Sequence, residues 1–184
     1  MNAQTSPRGP LWQKAISFAA RAHRHQLRKD QGTPYVAHPY RVMATVSLVF
    51  GCSDEAALVA AVLHDTIEDT TTDFDDLQKH FGPDVAALVA ALTKNMARPE
   101  AAREAEYDAA LARADWRARL IKLADVYDNL CDLGTSPEAG RETKARKASD
   151  KARRALTLAA LDEAHEPARR GIAEVRSLLA SLGL

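Results

Sequence analysis

Cysteine is scarce in this chain of 184 residues, which holds only Cys52 and Cys131. Two cysteines are too few for a disulfide scaffold, and their spacing is not that of a metal finger. Both are read as buried thiols of a protein from a reducing compartment. Net charge is lacking as well, because 25 Lys and Arg balance 25 Asp and Glu. That balance argues against a generally basic nucleic-acid binder and against an acidic tail protein. Long apolar runs are missing: the longest, Val42 to Phe50 and Ala56 to Leu63, each hold fewer than ten residues, and a membrane span needs about 20. The opening MNAQTSPRGP has no apolar signal core behind its positive charge. The expectation is a cytoplasmic protein with neither a membrane nor a nucleic-acid partner.

Alanine is abundant, at 36 residues against eight glycines and eight prolines. It is the best helix former and is depleted in strands, so the expected fold class is all-α. The length suits one domain that buries a core without staples. Local signals predict a helix over Leu11 to Arg28, ended by the Asp30 to Pro34 turn, and a second from Pro39 to Phe50. Ser53 is read as the cap of a third helix running to about Asp69, and Thr72 as the cap of a fourth that ends at Gly82. Further helices are expected from Pro83 to Lys94, from Met96 to Arg113 and from Asp115 to Leu133, where Gly134 to Pro137 stops the chain. Two more follow, divided near Pro167. The domain reading is a tail over 1–10, a core over 11–133 and a helical extension over 134–184 packed on it.

Charge is unevenly placed. Ser53 to Asp76 contains eight acidic residues and no Lys or Arg, whereas Arg21 to Lys29 contains four basic residues and no acid. Helix N-terminal turns account for Asp54, Glu55, Asp73, Asp75 and Asp76. They do not account for His64, Asp65, Glu68 and Asp69, which follow the apolar run Ala56 to Leu63. A His-Asp pair there is costly unless it is paired or coordinates a metal. His64 and Glu68, like Asp65 and Asp69, are four residues apart and are expected on one side of a helix. His38 and Asp125, each at or in a predicted helix, complete a set of two imidazoles and two carboxylates. Such a nitrogen–oxygen set suits Mn, Fe, Zn or Mg-like ions better than a thiolate site does. Arg21, Arg24, Arg28 and Lys29 are the candidate cationic partners for an anionic substrate, since arginine offers bidentate phosphate contacts.

In order and approximate spacing, His38, His64-Asp65 and Asp125 resemble the HD superfamily of metal-dependent phosphohydrolases. The segment from Arg28-Lys29-Asp30 through Thr33-Pro34-Tyr35 to His38-Pro39 is similar to the "RKDGTPYxxHP" segment of RelA/SpoT-type hydrolase domains. Leu63 to Thr70 resembles their "LHDxxEDT" signature, and Lys122 to Leu130 their "KLADxxxNL". Phe81-Gly82 and Leu92-Thr93-Lys94 resemble two further elements. The resemblance covers about 11–133 and, in layout, is to small alarmone hydrolases, which remove the 3′-pyrophosphate of (p)ppGpp. It implies an HD-domain helical bundle of about eight to ten helices. It implies Mn²⁺, or another divalent metal, held by His38, His64, Asp65 and Asp125, with Glu68 and Asp69 as catalytic carboxylates. Arg28, Lys29 and Asn129 are implied at the nucleotide.

Two other readings stay open. One is an HD phosphohydrolase acting on another nucleotide, such as an NADPH phosphatase or a nucleotidase. The other is a non-catalytic HD module that binds a nucleotide. The basic helices from Arg141 onward match the family loosely. Covering the core, forming a face of a homo-oligomer and touching phosphate all remain open for them.

Overall fold

The apolar run Ala56 to Leu63 sets the architecture, because a helix that is apolar on nearly every side must be surrounded. The computed structural model describes residues 9–135 and 141–184. In it, α3 (Glu55–Leu63) is central and packs against α1 (Leu11–Ala22), α2 (Ala37–Ala44), α6 (Pro83–Leu92) and α8 (Trp116–Cys131). Between these lie α4 (Thr66–Asp69), α5 (Phe74–Phe81) and α7 (Glu100–Arg113). A π-helical turn, Thr45–Val49, prolongs α2, and a 3-10 turn, Asp132–Thr135, prolongs α8. Then come α9 (Arg141–Ala159), a 3-10 turn at Ala160–Asp162 and α10 (Glu166–Ser181). The fold is all-α: no strand occurs among the described residues, only an isolated bridge between Leu27 and Pro34. No helix among them is long and apolar enough to cross a membrane.

Several boundaries differ from those expected, each for a local reason. The first helix ends at Ala22 rather than Arg28, because residues 26–28 turn to meet 33–35: Arg28 N–H donates to Thr33 O at 2.8 Å and Tyr35 N–H to Gln26 O at 2.9 Å. Asp30 ties that loop through Gly32 N, Thr33 N and Thr33 Oγ1 at 2.6–2.9 Å, and Gln31 takes φ 60° at its tip. The caps of α3 and α5 are Asp54 and Asp73, one residue beyond the expected Ser53 and Thr72, and Asp73 forms a reciprocal capping box with Asp76. The predicted helix over Asp54 to Asp69 is broken. Asp65 has φ −96° and ψ −3°, and the Thr66 hydroxyl donates to Leu63 O at 2.7 Å, taking a carbonyl the helix would use. Cys52 is buried as expected, but Cys131 sits on the outer side of the last turn of α8 and is exposed. Residues 1–8 of the expected tail, and Ser136 and Pro137 of the expected stop, lie outside the described residues.

The C-terminal helices pack on α8 and on each other. A buried ion pair joins them to the core. Arg119 binds both oxygens of Asp162 at 2.5 and 2.8 Å, and its third nitrogen donates to Leu111, Ala112 and Ala114 carbonyls. Nearby, Trp116 stacks on His165 with ring centroids 4.3 Å apart.

Candidate active site

The break after α3 places His64 and Asp65 at a corner of the chain, facing the start of α2. His38, His64 and Asp65 each offer one ligand atom, all within 4.8 Å of one another, a group able to hold a metal ion. Both imidazoles are anchored from behind. His64 Nδ1 donates to Ala61 O at 2.8 Å, and His38 Nδ1 donates to Asp128 Oδ2 at 2.6 Å. Since the partners are pure acceptors, the proton of each neutral ring sits on Nδ1 and the Nε2 lone pair faces the site. His64 Nε2 is buried with no hydrogen-bond partner, although Asp65 Oδ2 lies 3.1 Å away. A buried, unpartnered nitrogen lone pair beside carboxylates is what a cation would satisfy, so the donor set fits a divalent metal.

Asp125 lies beside this group. Its Oδ1 is 3.3 Å from His38 Nε2 and accepts from Asn129 Nδ2 at 2.6 Å, while its Oδ2 accepts from Lys122 Nζ at 2.7 Å. It therefore stands outside the tight trio, held by Lys122 and Asn129. The electrostatics show an excess of negative charge. Burial opposes protonation of His38, yet the hydrogen bonds it donates to Asp125 and Asp128 lift it to about 9, so in the absence of a cation a proton occupies the Nε2 position a metal would take. Burial raises the Asp65 carboxyl, but the adjacent His64 outweighs it and the carboxyl is held below its usual range. Glu68 is shifted upward, chiefly by burial, although Lys94 N–H donates to its Oε2 at 2.9 Å. The Tyr35 hydroxyl shares its one proton between Asp65 Oδ2 at 2.7 Å and Asp69 Oδ2 at 3.0 Å. Tyr35 thus bridges two carboxylates.

His38, His64, Asp65, Glu68, Asp69 and Asp125 line one cleft of about 230 Å³, together with Arg28, Lys29 and Asn129. A second cleft of about 220 Å³ adjoins it and shares Arg28, Lys29, Lys122, Asp125, Asn129 and Lys151. Its outer wall is α9, through Lys144, Lys147 and Lys151. Arg28 crosses the boundary, its Nη2 lying 3.3 Å from Asn129 Oδ1 and 2.7 Å from Asp132 Oδ2. Arg21 and Arg24 line neither cleft; Arg24 is exposed and donates to His25 at 3.0 Å. Once α1 ends at Ala22, the following turn carries Arg24 away.

Sequence reasoning missed Asp128 and Arg41, and left the basic helices from Arg141 onward undecided between the core, an oligomer face and phosphate. Asp128 joins His38 to Arg41, whose Nε and Nη2 lie 2.5 and 2.9 Å from its two oxygens. A signal for it existed, since Asp125, Asp128 and Asp132 are spaced to share a helix face, as are Lys144, Lys147 and Lys151.

Fold and site together define a class: an all-helical bundle with a buried histidine–aspartate centre in an acid-lined, cation-walled cleft. The family model described as "HD domain" matches residues 15–151, and the chain belongs to that family. The guanosine-3′,5′-bis(diphosphate) 3′-pyrophosphohydrolase MESH1 of Drosophila melanogaster is 42% identical over 128 residues, 69% of this chain and 72% of the fly protein. Its Homo sapiens counterpart of the same name is 40% identical over 136 residues, covering 73% and 76% of the two chains. The solved structure of a metazoan SpoT orthologue, described as hydrolysing ppGpp, superposes with a TM-score of 0.80 at 31% identity, covering 98% of this chain and 99% of that one.

Proposed function

We propose that this protein hydrolyses the 3′-pyrophosphate of (p)ppGpp, releasing pyrophosphate and GDP or GTP, with Mn²⁺ held by His38, His64, Asp65 and Asp125. The observation that carries the proposal is the continuity of the two clefts. One groove offers a metal-type centre at one end and a lysine wall at the other. A substrate with phosphate at both ends of a nucleoside needs both. The MESH1 relatives carry the same activity in their names.

When bound, the cation supplies a Lewis acid that neutralises phosphoryl charge and makes water a better nucleophile. The protein's own groups do the rest. Arg28, Lys29, Lys122 and Lys151 line both clefts and are assigned to the phosphates. Asn129, held against Asp125, is assigned to the nucleoside side. Glu68, fixed by Lys94 N–H and raised by burial, is placed to take a proton from water or deliver one. Asp69, oriented by Tyr35, is its partner. Water oxygen joins phosphorus, the bond from phosphorus to the ribose 3′-oxygen breaks, and that oxygen leaves with a proton. The extension over 134–184 is assigned to the same unit, because α9 supplies the basic wall.

The test is incubation with Mn²⁺ and a panel of ppGpp, NADPH and nucleoside monophosphates, with identification of the product. Pyrophosphate from ppGpp is expected. Inorganic phosphate from NADPH or a monophosphate, with none of that pyrophosphate, would favour the other hydrolase readings.

A further inference from the structure

Tyr107 lies on α7. It is only 6% exposed, yet two of its neighbours are cations. Lys94 Nζ, from beyond the end of α6, lies 5.1 Å from the ring centroid, and Lys122 Nζ, from α8, lies 5.6 Å away. Both distances fall within the range of attraction between an ammonium group and an aromatic face. Tyr107, Lys94 and Lys122 all line the acidic cleft. Lys151, an exposed residue of α9, lines the same cleft beside them. The Tyr107 hydroxyl makes no hydrogen bond among the described residues. What distinguishes this side chain from a core leucine is therefore the face of its ring.

The two lysines need such a face. Among the described residues each pairs with one carboxylate, Glu104 for Lys94 and Asp125 for Lys122, both at 2.7 Å. Asp125 is also the proposed metal ligand, and a carboxylate turned toward a cation holds an ammonium group less well. A lysine stem of four carbons then has many places to go. An aromatic face attracts the ammonium without neutralising it, leaving its charge available to an anion.

We propose that Tyr107 is a positioning residue whose ring seats the Lys94 and Lys122 ammonium groups so that both face one phosphate group of the substrate. The inference rests on the phosphate-ester reading above. Its test is a ring series at position 107 in the full chain. Tyr107→Phe is the reference, followed by phenylalanine carrying two and then three ring fluorines, which drain the ring face at nearly constant volume. Tyr107→Leu removes the face. The readouts are the Kd for inorganic pyrophosphate by calorimetry, KM and kcat for ppGpp, and Tm. Kd and KM are expected to climb stepwise along the fluorine series, reaching on the order of tenfold above the reference. kcat should change less than KM, and Tm should stay level across the fluorinated members. A flat Kd across the series, or no pyrophosphate binding by the unmodified protein, overturns the inference. A protein that binds pyrophosphate with this graded pattern but releases none from ppGpp overturns the proposed activity and leaves the seat supported.

Discussion

Asp128→Asn separates the metal site from the fold around it. Asp128 is 4% exposed and accepts from His38 Nδ1 at 2.6 Å and from Arg41 Nε and Nη2 at 2.5 and 2.9 Å. The asparagine keeps the shape but carries no charge and has one oxygen in place of two. Its amide nitrogen must then face a donor, either His38 or Arg41. Arg41 is the lesser loss, because it is partly exposed and still reaches Asp132 Oδ2 at 2.8 Å. His38 has no such substitute for Asp128 on Nδ1. Replacing a charge-assisted bond by a neutral one, with the Arg41 share reduced for its exposure, costs about 1–2 kcal/mol of stability. For a chain of this size that lowers Tm by about 2–8 °C. The greater effect falls on the metal. Loss of the partner that orients a ligating imidazole weakens metal affinity by about 10–100-fold. The assay is calorimetric titration of the metal-free protein with Mn²⁺, alongside a thermal melt. A Kd unchanged by the substitution, with the Tm falling as expected, would refute the assignment of Asp128 as the orienting partner and leave it only a structural role.

Three other predictions concern the scaffold. Asp162→Ala leaves the Arg119 guanidinium buried without its bidentate carboxylate, so a loss of about 3–5 kcal/mol is expected in urea unfolding; a change near zero would mean the Leu111, Ala112 and Ala114 carbonyls suffice. Gln31→Gly relieves a left-handed residue at a loop tip and should gain about 0.5–1 kcal/mol, read as a higher urea midpoint with unchanged slope. Glu104 accepts from Lys94 and Arg154; although burial raises its carboxyl, these bonds bring it down to about 2, below its ordinary 4.5. Its stabilisation is therefore full above about pH 5 and lost as pH falls toward 2, at under about 1 kcal/mol given its exposure. Glu104→Gln should shrink the fall in stability over that window, and an unchanged acid limb would contradict this.

Much of the site was legible because its chemistry is dense in sequence. His64-Asp65 directly after an apolar run, and Asp125 inside another, are costly placements that only pairing or a metal relieves. The helices around them were legible for the same reason, since α3 and α6 are apolar almost throughout. What escaped were features decided by single hydrogen bonds or by the direction of a face. The Thr66 hydroxyl competing for Leu63 O breaks the helix that looked continuous to Asp69. The lysines of α9 are spaced to share a face, but only the packing of α9 on α8 sets that face along the rim of the cleft. Arg24 is as basic as Arg28, and the end of α1 two residues earlier sends it elsewhere.

The central claim is that one groove holds both a metal-type centre and a phosphate grip acting on (p)ppGpp. Its most direct test is product identification after incubating ppGpp and Mn²⁺ with the unmodified protein and with His64→Ala, whose melting is checked in parallel. The account predicts stoichiometric pyrophosphate and GDP from the unmodified protein. For the folded variant, it predicts a rate lower by more than about tenfold, the lower end of the loss when merely the partner orienting a metal ligand is removed. Absence of pyrophosphate from the unmodified, Mn²⁺-loaded protein, or undiminished release by the variant, would contradict it.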